Sequence, residues 1–194
     1  MSDTFAIVTV NGSPNEESKT GTLIDLAAKA IAARVDVDIT AVRPYALGPG
    51  FTGAATREDV SPDIEKLLQT IEQADLIVAG SPVFQGSYSG MFKHLFDLID
   101  PYALEDLPVV LVASGGSERH SMVIDHALRP LFAHFQAHVL PIGIYGSPGD
   151  FIGSTLYNPP VLGRIERAAD LAAIMLKGQR HRRAVAKVIE PVVA

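Results

Sequence analysis

The sequence predicts an α/β protein built on a doubly wound parallel sheet, and three observations predict it. Five short apolar runs rich in Val and Ile recur between Thr4 and Ile144. Their apolar character is continuous rather than alternating, the mark of strands buried on both faces. Helical patterns separate the runs, and an alternation of strand and helix is the signature of a parallel sheet. Finally, 47% of the 194 residues are hydrophobic, enough for one compact domain with a sizeable core.

The first strand spans Thr4 to Val10 and leads into a helix over Thr20 to Ala33. The second strand, Val37 to Ala41, is short. A Pro/Gly-rich loop, Arg43 to Thr56, follows it and precedes a helix that starts at Ser61-Pro62, with Ser61 as the cap and Pro62 in the first helical position. The third strand is Leu76 to Ala79, followed by a helix over Ser89 to Ile99. The fourth is Val109 to Ala113, followed by one helix from about Ser121 to Phe135 with Ile124, Leu128, Leu131 and Phe135 as its apolar stripe. The fifth is Val139 to Ile144. Five such units in residues 1–145 predict a flavodoxin-like five-stranded sheet of order 2-1-3-4-5 with helices on both faces. Residues 146–194 read as part of the same domain: an irregular arm, a helix over Leu162 to Lys177 and a basic run, Arg180-His181-Arg182-Arg183, at a solvated end. This arm is expected to make oligomer contacts.

Composition narrows the function classes. A net charge of −6 argues against nucleic acid or an anionic membrane as the main partner. The chain has no cysteine, which removes disulfides, thiolate nucleophiles and iron–sulfur ligation. No apolar run approaches the ~20 residues of a membrane span, and Met1-Ser2-Asp3-Thr4 lacks a basic leader region, so a cytoplasmic protein is expected. None of the six histidines stands in an H-E-x-x-H pattern, and the sequence between His134 and His138 leaves the helix, so no metal site is predicted.

The chemistry lies in the loops after strands one, three and four, where an open α/β sheet binds its ligands. Asn11 to Thr22 joins the first strand to the first helix. The opening turn of a helix presents unpaired N–H groups and the positive end of its dipole. Ser13, Ser18, Thr20 and Thr22 add hydroxyls there and Lys19 adds a charge, so a phosphate monoester is the natural guest; a plain capped helix has the same composition. No Gly-Lys-Ser/Thr closes the loop and G-x-G-x-x-G is absent, which disfavours nucleoside triphosphates and a classically bound dinucleotide. Gly80 to Gly90, which includes Pro82, Val83, Phe84 and Gln85, and Ser114-Gly115-Gly116-Ser117 combine glycine with small hydroxyls. Such loops let backbone approach a flat ligand, and Phe84 offers an aromatic border for a planar ring. Tight strand-to-helix turns share that composition. Together the three loops describe a mononucleotide with a planar head.

These segments, with Ile124-Asp125-His126-Ala127-Leu128-Arg129-Pro130, resemble the NAD(P)H-dependent FMN reductases of two-component flavin monooxygenase systems, most of all those of alkanesulfonate and methanesulfonate use. The resemblance runs from the first strand to about Tyr145. It implies that Ser13, Ser18, Lys19 and Thr20 hold the FMN phosphate, that Pro82, Val83, Phe84 and Gln85 line the isoalloxazine, and that Gly115, Gly116 and Ser117 give it backbone contacts. Asn15 stands where relatives often carry arginine, leaving Lys19 as the main phosphate cation, and Phe84 replaces a common tyrosine. The resemblance also implies hydride transfer from NADH or NADPH to FMN, with reduced FMN passed to a partner flavin-dependent monooxygenase in sulfonate desulfonation, and a homodimer or homotetramer. The flavin carries the chemistry, so no acid, base or nucleophile is assigned. His126 occupies the place of an inserted aromatic that makes a π-helical turn at a subunit interface, and is expected to modulate flavin release. An FMN-bound quinone or azo reductase and a flavodoxin-like electron carrier remain as alternatives, the latter disfavoured by the lack of Trp.

Overall fold

A computed structural model describes the backbone of residues 4–189 and the side chains of residues 4–179. Four strands form the parallel centre: β1 (Phe5–Asn11), β2 (Val37–Val42), β3 (Leu76–Pro82) and β4 (Pro108–Ser114). A fifth position is shared by β5 (His138–Val139) and β6 (Ile144–Gly146), both paired with β4. The order is β2-β1-β3-β4-β5, as the five β-α units predict. The edge strand β2 is largely half-buried or exposed, whereas β4 is buried throughout.

Side chains alternate across the sheet, because successive residues of a strand point to opposite faces. Ile7, Leu76, Val78, Val110 and Val112 face α1 (Lys19–Ala32) and the long carboxyl-terminal helix, Pro159–Ile189. Val8, Ile77, Ala79, Val109 and Leu111 face the opposite layer. That layer contains a short helix, α2 (Pro49–Thr52), then α3 (Pro62–Glu72), α4 (Gly90–Asp97) and α5 (Arg129–His134). Phe92, Phe96 and Phe132 form its aromatic centre, with ring centroids 4.9 and 4.8 Å apart.

Three local expectations change. Strand five is not continuous: β5 pairs Val139 with Val109, but β6 pairs Ile144 with Val112, so two extra residues sit between them. Pro141 lies in that gap and has no N–H to give the ladder. Arg129 Nη1 donates to the Leu140 carbonyl at 3.1 Å and Arg164 Nε to Gly143 at 2.9 Å, satisfying carbonyls inside the interruption. The helix read over Ser121 to Phe135 contains, as the resemblance implies for His126, a π-helical segment at Ile124–Leu128, in which the Arg129 N–H bonds the Ile124 carbonyl five residues back. The wider turn advances the buried stripe, so Phe132 is fully buried and Leu131 only partly. Ser61 precedes α3 without a side-chain capping bond, although Pro62 does take the first helical position.

The region after β6 is more ordered than an irregular arm. Ser147 and Asp150 form a capping box around the turn Pro148–Asp150, and an antiparallel hairpin follows, β7 (Phe151–Ile152) and β8 (Thr155–Leu156). The last helix, α6 (Pro159–Ile189), starts earlier than Leu162 and buries Val161, Ile165, Ala168, Ala169, Ala172 and Leu176 with α1 and the sheet. The side chains of Arg180 to Arg183 lie outside the described residues.

Candidate functional site

The ends of β1, β3 and β4 lie side by side: Asn11 pairs with Gly80, and Pro82 with Ser114. Their loops therefore meet at one carboxyl edge, around a cleft of about 480 Å³. Ser13, Ser18, Lys19, Thr20, Pro82, Val83, Phe84, Gly115 and Gly116 all line it. Residues as distant along the chain as Ser13 and Gly116 are thus brought to one cleft by the parallel register of the strands.

One end of the cleft is built for an anion. Ser18 caps α1, its oxygen accepting the Gly21 N–H at 3.0 Å, which leaves its hydroxyl proton free to donate. The amides of Lys19 and Thr20 precede the first intrahelical acceptor. Ser13 is buried, with its own N–H on Asn11 Oδ1 at 3.0 Å and its oxygen accepting from Asn15 N at 3.3 Å. The other hydroxyls of this run have structural partners. Thr20 Oγ1 lies 2.7 Å from Ser114 Oγ, fully buried, and joins α1 to the end of β4. Thr22 Oγ1 lies 3.2 Å from the carbonyls of both Ser18 and Ser154. Arg43, at the end of β2, reaches Glu16 of the loop at 3.5 Å.

The other end is less polar. Pro82, Val83 and Phe84 form its wall, and Phe84 is 42% exposed. Phe84 and Ser87 close a two-residue turn by exchanging backbone bonds of 2.8 and 3.0 Å, with Gln85 and Gly86 both at positive φ. That is the geometry of a type I′ hairpin turn. Gln85 is consequently at the exposed turn tip and not on the cleft wall. Ser89 fixes the loop from below: its hydroxyl donates to the Gly12 carbonyl at 2.6 Å and its N–H to Ser81 Oγ at 2.9 Å.

Behind the cleft, Tyr145 donates its hydroxyl to the Ser117 carbonyl at 2.5 Å, so Ser117 acts through its backbone to anchor the glycine loop. A Cβ on Gly115 would lie 2.5 Å from the Tyr145 oxygen, so a larger residue there would push the phenol off the Ser117 carbonyl. Burial first, then the negative charges of Glu118 and Asp150, push the Tyr145 phenol up to about 12. Asp150 is buried, which opposes its ionisation. The Ser147 N–H at 2.7 Å, the Asn158 amide and the Ser147 hydroxyl at 2.9 Å outweigh this and hold its carboxyl below the ordinary range.

Ser114, the last residue of β4, also lines the cleft, as do Pro148, Gly153 and Ser154, which lie outside the three loops singled out by the sequence. The last two form the tip of the β7–β8 hairpin. The run Phe151-Ile152-Gly153-Ser154-Thr155-Leu156 carries a recognisable signal, a Gly-Ser pair between β-formers. His126 lies in the middle of the π-helical segment and is exposed in the single chain, on a groove between α4 and α5 that also includes Ser87 and Tyr88. No group of three or more metal-ligating side chains occurs among the described residues. No helix among them is long and apolar enough to cross a membrane.

A flavodoxin-like sheet with a phosphate-type loop at its strand-order switch is the architecture of FMN-binding proteins. The residues fit that group: hydroxyl, amide and ammonium donors stand at one end of the cleft, and an apolar, aromatic wall with a backbone-rich loop at the other. A family profile for NADPH-dependent FMN reductases matches residues 5–151. The chain is 47% identical over 165 residues to the NADH-dependent FMN reductase SfnF of Pseudomonas putida, covering 84% of this chain and 89% of that protein. It is 39% identical to an FMN reductase (NADPH) of Pseudomonas aeruginosa, over 92% and 96% of the two chains. An NAD(P)H-dependent FAD/FMN reductase of Geobacillus thermodenitrificans is 34% identical over 73% of this chain and 76% of its own. Among solved structures, an oxidoreductase of Corynebacterium diphtheriae superposes with a TM-score of 0.82 at 28% identity, over 91% and 99% of the chains. The chain belongs to the NADPH-dependent FMN reductase family, enzymes that reduce FMN with a reduced nicotinamide nucleotide.

Proposed function

We propose that the cleft takes FMN with its phosphate on Ser13, Ser18, Lys19 and the first amides of α1, and its ring between Pro82–Phe84 and the backbone of Gly115 and Gly116. The observation that carries this placement is the polarity of the cleft, anion donors at one end and an apolar wall at the other. FMN supplies the hydride-accepting chemistry when bound. The protein's task is to hold the ring where the nicotinamide can stack on it, and to keep the loops rigid through Ser89 and Tyr145. The cleft is open to solvent at Phe84, which suits a flavin that enters and leaves as a substrate.

The enzyme's reduced FMN serves, in this reading, a cytoplasmic flavin-dependent monooxygenase that acts on sulfonates. Support for the partner and its sulfonate substrate comes from the sequence resemblance; the Pseudomonas putida relative, an NADH-dependent FMN reductase, supports the reductase half of the reading. The working unit is a homodimer or homotetramer, with His126 at the contact between subunits. Steady-state kinetics with free FMN tests the role. Sequential kinetics and release of reduced FMN are expected; ping-pong turnover with a quinone on permanently bound FMN would overturn it in favour of a quinone reductase.

A further inference from the structure

We infer that the β7–β8 hairpin selects FMN over FAD by closing the phosphate end of the cleft. The inference rests on the FMN placement proposed above. FAD continues from the flavin phosphate into an adenylate, so its acceptance depends on what bounds that end. Gly153 and Ser154 of the hairpin tip line the same cleft as Ser13, Ser18 and Lys19, and the Ser154 carbonyl, 3.2 Å from Thr22 Oγ1, sets the tip beside the first turns of α1.

The hairpin is built as a firm base with a latched tip. Phe151 and Leu156 pair and are buried, and the Tyr157 N–H bonds the Asp150 carbonyl at 3.0 Å. Gly153, at φ +62°, opens a two-residue turn of the type II′ kind, which needs glycine in that place. Ile152 to Thr155 are exposed, and Ile152 is 70% exposed, so the tip has no role in the core. One contact holds the tip against α1 and another the base. The Thr22 hydroxyl reaches the Ser154 carbonyl at 3.2 Å, and the Lys19 ammonium lies 5.8 Å from the centre of the Phe151 ring. An exposed tip that contributes nothing to packing, yet is tied to the turn that offers the phosphate donors, has its effect on the ligand. A family that includes both FMN and FAD/FMN reductases does not settle this choice by its sheet, which leaves the local walls to do so.

The test measures dissociation constants for riboflavin, FMN and FAD by flavin fluorescence, on the intact protein and two variants. In one, Ile152–Thr155 is replaced by Asn-Gly, which joins the paired Phe151 and Leu156 by a shorter turn. In the other, Thr22→Val removes the latch and leaves the hairpin in place. For the unaltered protein FMN is expected to bind at least about tenfold more tightly than FAD or riboflavin. The trimmed variant should bring FAD within about threefold of FMN, and Thr22→Val should narrow the gap about three- to tenfold, the worth of one hydrogen bond. Both should keep the preference for FMN over riboflavin. Equal FMN and FAD affinity in the unaltered protein, or an unchanged ratio in both variants, overturns the inference. Should the trimmed chain not fold, the ratio in Thr22→Val decides alone. Equal FMN and riboflavin affinity in the unaltered protein would instead overturn the phosphate placement itself.

Discussion

Lys19 and Ser18 stand next to each other at the start of α1 but differ in what their removal does. Ser18 has a structural duty, since its oxygen caps the helix at Gly21. Ser18→Ala should therefore cost about 1 kcal/mol of stability as well as an FMN contact. Lys19→Ala removes only the charge at the cleft and its approach to Phe151. A charge-assisted contact is worth about 1.5–3 kcal/mol, so either variant should raise the FMN dissociation constant about ten- to a hundredfold. Riboflavin affinity should stay nearly unchanged, and thermal unfolding should separate the two variants. Tyr145 gives a second residue-scale prediction. Its phenol is raised from the ordinary value of 10.0 to about 12, so the folded protein favours the protonated form. That contribution is fully present below about pH 10 and is lost as pH rises through about 12. Melting temperature followed from pH 8 to 12 should fall less steeply in Tyr145→Phe than in the unaltered protein.

Among the elements, the π-helical segment Ile124–Leu128 changes both sides of its helix. Inward, it moves the buried stripe from Leu131 to Phe132, which completes the aromatic cluster with Phe96. Outward, it presents His126 on the groove beside Ser87 and Tyr88, near the loop that includes Phe84. Asp125 and Arg129 bridge the wide turn at 2.9 Å, and Arg129 also bonds Leu140. π-Segments of this kind recur at functional positions. His126→Ala is expected to change FMN retention or oligomer stability, read by sedimentation, while leaving the single-turnover rate of hydride transfer to bound FMN near its original value. A slowed single turnover with an unchanged assembly would place His126 in the chemistry instead.

For the whole molecule, α6 is a structural layer rather than an appendage. Its apolar stripe covers the same sheet face as α1, and Arg34, in the turn just after α1, joins that helix end to α6 through Glu166 at 2.8 Å and Asp170 at 2.6 Å. These exposed pairs contribute about 0–1 kcal/mol each; the buried stripe supplies the adhesion. A chain ending at Asn158 would uncover the apolar residues of α1, β4 and β6 that pack against α6, and is expected to lose its cooperative unfolding transition in calorimetry. Retention of that transition would show that residues 5–158 suffice. The sequence by itself determined the parallel sheet, its order and the three loops that carry ligand chemistry. Buried strands write their two-sided burial into continuous apolar runs, and loops show their chemistry in composition. Only the tertiary structure decided which hydroxyls are free. Thr20 is taken by Ser114, 94 residues away, and Thr22 is shared between the Ser18 carbonyl of its own helix turn and Ser154, 132 residues away. The hairpin wall, the split fifth strand and the docking of α6 were settled there too. Periodicity and composition register neighbours along the chain, whereas these choices depend on partners that only the folded sheet brings within hydrogen-bonding distance.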